Sequence, residues 1–263
     1  MARKSTPLLL FWLVAIFFLV PTPPGAAQPG NMVVYWDFEP SGNSPGTQIA
    51  WDTGAAEWAA DHVNQLLRLP EELPVYIVDD PEPDAYYDPM DRSIVMTSGL
   101  FEMFWDMAQS AGGDTELLVF DSILFTAFHE VGHALIDIYL LPATGREEDV
   151  ADQISSWIIL TTVGETEAEG IEVLLNSAYF FLTEVGKNPS LEELAFWDTH
   201  PHDHQRYYNM VCWCDGYDRG LTEQVLGQPI SAILPEEREV FCEEEYALLD
   251  DALYTLLGDY LIE

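Results

Sequence analysis

The chain has 263 residues, enough for a substantial core in one large or two small domains. Its 46 acidic residues stand against 9 basic ones, a formal charge of -37, which repels nucleic acid and anionic membranes and excludes both as partners. The acid is spread along the chain and 48% of residues are hydrophobic, which argues against a disordered chain and points to surface adaptation for solubility or salt tolerance, with a cationic substrate as the less favoured alternative.

The first residues read as a leader. Arg3 and Lys4 precede an apolar run at 8–20, followed by Pro21, Pro23, Pro24 and the small residues Gly25, Ala26 and Ala27. A basic start, an apolar stretch too short for a comfortable span and a small-residue end are the parts of a secretory signal peptide. Residues 1–27 are therefore expected to be cleaved, leaving 28–263 as a single domain, secreted or periplasmic, with no stable membrane insertion. An uncleaved anchor is the alternative.

Residues 32–38 are apolar and aromatic enough for a strand, and 41–46 follow as a Gly/Pro/Ser/Asn loop. Helical spacing over 55–69 brings Trp58, Val63, Leu66 and Leu67 near one face. His62 in that helix reads as structural. Residues 74–78 and 93–97 read as strands, and the acid- and proline-rich 79–91 between them as a solvated hairpin loop whose spacing does not fit an EF-hand. A strand just ahead of the next helix is also where an extended peptide could add by β-pairing.

Asp114 can cap a long helix that stops at Pro142, with Glu116 suiting its N-terminal dipole. A second helix is expected over 144–162, with Thr144 and Glu147 as a capping box, and a third over 167–185 ending at Gly186. Ser190 to Glu193 is another capping box, leading to Trp197, and a last helix is expected from Pro235 to Leu257. The expected fold is α+β and zincin-like: a small N-terminal sheet packed on an active-site helix, then a mostly helical half.

The chemistry sits in the long helix, where residues 129–133 read H-E-x-x-H. Positions i and i+4 share a helix face, so His129 and His133 can reach one metal ion, and Glu130 lies close enough to take a proton from water there. A catalytic zinc needs a third protein ligand and an open position. Glu148 and Asp152 are one turn apart on the second helix; Glu148 is the candidate ligand, and Asp152 the candidate acceptor for the other ring nitrogen of His129. Glu147 and Asp149 read as acids favourable in any first turn. The absent side chain of Gly132 makes room for a closely packed neighbour.

A further cluster, residues 198–206, holds His200, His202, His204 and Arg206. A distant His or Arg can stabilise the oxyanion formed when water attacks a carbonyl, so His200 and Arg206 are catalytic candidates. His202 and His204 read as surface residues or an adventitious second metal site. The cysteines are Cys212, Cys214 and Cys242. In an oxidising compartment Cys242 is expected to pair with one of the other two.

H-E-x-x-H with the later E-x-x-x-D resembles the gluzincin zinc peptidases, of which thermolysin is the familiar member. His200-Pro201 with Arg206 resembles the H-P-x-x-x-x-R element of membrane-embedded prenyl-protein zinc endopeptidases, where it helps to hold substrate and transition state. A closer resemblance, over roughly 75–246, is to a family of bacterial secreted proteins described as metallopeptidases. It rests on Asp84-Ala85-Tyr86-Tyr87-Asp88-Pro89, on 129–133, on 145–152 and on Gln205-Arg206-Tyr207-Tyr208-Asn209. Cysteines often flank the Asp-Ala-Tyr-Tyr hairpin in that family and are missing here, so packing must hold it.

The resemblance implies one Zn2+ ion and a peptide or protein substrate. A non-catalytic metal- or partner-binding protein, or a zinc hydrolase acting on a non-peptide amide or ester, stays open on sequence alone.

Overall fold

The computed structural model describes residues 30–183 and 199–262. The expected leader at 1–27, the end of the third helix at 186 and the capping box at 190–193 lie outside them.

Four strands form one sheet in the order β1-β2-β4-β3: β1 (Met32–Trp36), β2 (Leu73–Val78), β3 (Ala85–Asp88) and β4 (Ser93–Thr97). β1 and β4 run parallel to β2, and β3 runs antiparallel to β4 at the edge. Parallel neighbours need a crossover. Between β1 and β2 two helices supply it, α1 (Pro45–Thr53) and α2 (Ala55–Leu66), hinged at Gly54 with φ 62°, while β2 reaches β4 by way of β3. The expected loop at 41–46 thus runs into a helix that opens on Pro45, where the missing N–H costs nothing. The supposed loop at 79–91 also contains a strand, β3, because its backbone finds partners along β4.

β4 leads directly into α3 (Ser98–Ala111), capped by Thr97 Oγ1 on the Leu100 N–H. Sequence reasoning passed over this helix, although Leu100, Phe101, Phe104 and Ala108 bury one face at helical spacing. The central helix α4 (Thr115–Ile138) follows, with the Asp114 carboxylate accepting from the N–H groups of Glu116 and Leu117. It is long and apolar enough to cross a membrane, but 72% of its most apolar window is buried inside the fold.

The rest is helical: α5 (Glu147–Thr162), α6 (Glu167–Thr183), α7 (Asp203–Tyr217), α8 (Arg219–Leu226), α9 (Glu236–Glu239) and α10 (Cys242–Leu257). Thr144 caps nothing; α5 starts from Arg146 without a side-chain cap. The single helix expected over 235–257 is broken at 240–241, ahead of Cys242. Cys242 pairs with Cys212 of α7, Cα–Cα 5.0 Å, and Cys214 is free and buried. A contiguous apolar core joins the sheet to α4, α5, α6 and α10. The molecule is thus mixed α/β, with a small sheet on its N-terminal side and a predominantly helical remainder.

Candidate metal centre

α4 carries His129 and His133 one turn apart, and α5 crosses them with Glu148 and Asp152 one turn apart. The helices come this close because Gly132 lies at the crossing. A Cβ there would fall 2.9 Å from Ala151 Cα and 3.2 Å from Ala151 Cβ. Any side chain would push α5, and Glu148 with it, away from the histidines.

Three donor atoms meet in a triangle. His129 Nε2 is 3.2 Å from Glu148 Oε2, His133 Nε2 is 3.4 Å from the same oxygen, and the two nitrogens are 3.3 Å apart. Zinc takes such donors at about 2.0–2.2 Å, so donors around a tetrahedral ion lie about 3.3 Å apart. Two imidazoles and one carboxylate in this triangle therefore fit a small divalent ion and leave one coordination position open. Burial alone would raise the Glu148 carboxyl, but hydrogen bonds from His129, His133 and His200 hold it well below the usual carboxylate range.

The histidines are oriented from behind. His129 Nδ1 lies 2.9 Å from Asp152 Oδ1, and His133 Nδ1 lies 2.8 Å from Glu147 Oε1. Asp152 is 3% exposed, and its charge is balanced by the Arg206 guanidinium: Nε donates to Oδ2 at 2.9 Å and Nη2 to Oδ1 at 2.6 Å. Arg206 in turn stacks over the Phe181 ring at 4.1 Å. Burial works against the Asp152 charge, but Arg206 and His129 keep its carboxyl below the ordinary range.

Glu130 lines a cleft of about 980 Å³ together with His129, His133, Glu147 and Glu148. It is 4% exposed, and burial raises its carboxyl above the ordinary value despite the neighbouring histidines. No hydrogen bond to its carboxylate is found among the described residues. The cleft is also lined by the edge strand (Ala85, Tyr86, Tyr87), by the apolar Ile136, Leu140 and Leu141, and by Thr199 and His200. His200 Nε2 reaches Glu148 Oε2 at 2.9 Å while half its side chain stays exposed.

The family model described as "Putative metallopeptidase" (DUF4344) matches residues 37–257. The chain belongs to that family. No curated protein and no solved structure matches it.

Within this metallopeptidase frame, several expectations change. Arg206 was expected beside His200 at the reaction centre; its guanidinium is instead committed to Asp152, behind the metal ligands, and does not line the cleft. Glu147, read as a first-turn acid, carries the contact to His133. Its one visible signal was its place beside Glu148. His62 stacks on Trp58 and bonds Thr162, away from the cleft. His202 and His204 join no metal-binding cluster among the described residues. Tyr87 stands in the Asp-Ala-Tyr-Tyr motif without an assigned task there; its hydroxyl donates to Asp137 at 2.9 Å and ties the hairpin to α4. Arg92 reinforces that tie by pairing with Asp137 at 3.3 Å and with Glu71. The hairpin without flanking cysteines is held by strand pairing and these polar bonds.

Proposed function

We propose that the chain is a secreted or periplasmic zinc metallopeptidase of the gluzincin kind, acting on peptide or protein substrates. His129 and His133 through Nε2, and Glu148 through a carboxylate oxygen, would hold one zinc ion. Bound there, zinc supplies Lewis acidity, polarising a carbonyl and lowering the pKa of water toward neutrality. Glu130 is the general base: it takes the proton of the attacking water and returns it to the leaving amine. Asp152 fixes the ring of His129, Arg206 fixes Asp152, and Glu147 does the same for His133. His200, whose Nε2 lies against Glu148 at the edge of the donor triangle, would exchange that contact to donate to the oxyanion of the tetrahedral intermediate.

The observation that carries catalysis, rather than metal storage or partner binding, is Glu130. Its carboxylate lines the cleft beside the metal ligands and bonds no described protein group, so it is available to water there, and a site that only held metal would have no use for it. A peptide is favoured over a small amide or ester by the edge of β3 along the cleft, which is unpaired among the described residues and to which an extended chain can add. The 1–27 pattern supports export, and so does the Cys212–Cys242 disulfide, which persists in oxidising compartments.

The test is hydrolysis of a mixed peptide library by wild type and Glu130→Gln at equal metal loading. Glu130→Gln keeps the shape and removes the base, so rates should fall about 10²- to 10⁴-fold. Equal rates for the two proteins would end the proposal.

A further inference from the structure

Side chains paired in register across a sheet project to the same face. Tyr35 pairs with Tyr76, Tyr76 with Val95, and Val95 with Tyr86, so one row crosses all four strands. Their neighbours along the strands, such as Val75, Ile77, Ile94 and Met96, turn the opposite way and are buried in the core. The row itself stays open: Tyr35, Tyr76 and Tyr86 are 42%, 42% and 45% exposed. The rings of Tyr35 and Tyr76 stack, with centroids 5.7 Å apart. Three open tyrosines in line make a flat platform of apolar rings with polar tips, a composition typical of contact surfaces.

Two observations say what lies on it. The first is continuity with the cleft. Tyr86 belongs to the edge strand and lines the cleft with Ala85 and Tyr87, so the platform begins where the cleft wall ends. Three strand spacings separate Tyr86 from Tyr35, about 14 Å, which four or five residues of extended chain would span. The second is charge. Exposed carboxylates flank the row at both strand ends: Glu72, which accepts from the Tyr35 hydroxyl at 3.1 Å, on one side, and Asp80 and Asp84 on the other. Tyrosine faces attract cations, and such a rim repels an acidic chain.

We infer that this tyrosine row is a second substrate-binding surface, which holds a lysine- or arginine-rich stretch of a polypeptide whose scissile bond lies in the cleft. The basic side chains lay their stems over the rings and place their charges beside the flanking carboxylates. The inference rests on the reading of the cleft as a peptidase active site and extends it to a substrate class, cationic polypeptides long enough to cross the edge strand.

The test compares Tyr35→Thr/Tyr76→Thr with its parent, since threonine keeps strand propensity at exposed positions; unchanged thermal unfolding would verify the fold. Binding of a labelled lysine-rich 24-residue peptide is followed by anisotropy in the Glu130→Gln background, where nothing turns over. The double substitution should weaken that binding about tenfold, while hydrolysis of a six-residue library by the active enzyme stays unchanged. If no peptide is hydrolysed yet the double substitution still weakens binding, the surface stands and the peptidase reading falls. Equal binding by variant and parent would overturn the surface. It would also be overturned by tighter binding of a glutamate-rich peptide or of dextran, or by self-association of the parent that the double substitution abolishes.

Discussion

Asp121 lies two helical turns before His129, at the packed face between α4 and α6. It is 1% exposed; one carboxyl oxygen accepts from Asn176 Nδ2 at 2.7 Å, and the other has no partner among the described residues. Burial, only partly offset by Asn176, pushes its carboxyl up to about 6. An unfolded Asp titrates near about 3.9. Between roughly pH 4 and 6 the folded state therefore keeps a proton that the unfolded chain has released, so this residue lowers stability as pH rises through the window and at full strength above it. Asp121→Asn should raise stability at pH 7 by about 1–3 kcal/mol and flatten the slope between pH 4 and 6, read by denaturant melts across pH. Equal stability of the two proteins at pH 7 would refute this account of the buried acid. Asp152 shows the contrasting case: it is as deeply buried, but two bonds from Arg206 and one contact to His129 keep it ionised.

At the scale of elements, the site depends on how near α5 comes to α4. Gly132→Ala would gain about 1 kcal/mol of helix propensity, yet its Cβ would meet the Ala151 backbone. Overpacking of that kind costs about 1–3 kcal/mol, so the variant should lose stability on balance and hold metal less tightly, because Glu148 moves with α5. A higher melting temperature with metal retained would show that the helices can part without harm. The same crossing explains what was legible beforehand. Spacings of four within one helix put His129 with His133, and Glu148 with Asp152, and the structure brings the two pairs together. The task of Arg206 was not legible, because it depends on where α7 docks against α5, and no spacing within the chain encodes that. α1 was hidden by its content: Gly46, Thr47 and Asp52 are poor helix formers, and tertiary bonds such as those from the Thr47 N–H and hydroxyl to Glu102 help hold it. β3 was hidden because a strand of four residues among acids and prolines announces itself only through its partner, β4.

Across the described residues, the main apolar core spans the sheet and most of the helices, and a smaller apolar cluster surrounds the disulfide that fastens α7 to α10. With a formal charge of -37, the repelling surface surrounds a cleft that holds its own carboxylates, Glu130, Asp137, Glu147 and Glu148. A divalent cation is what would bring that local charge into balance, and the central claim is that the donor triangle holds one. Metal content of the purified protein, measured by mass spectrometry beside Glu130→Gln and Glu148→Ala, tests it most directly. The account predicts about one equivalent of zinc in wild type and in Glu130→Gln, and much less in Glu148→Ala. A wild-type protein that carries no zinc and takes none up, or a Glu148→Ala protein that binds it as tightly as wild type, would contradict it.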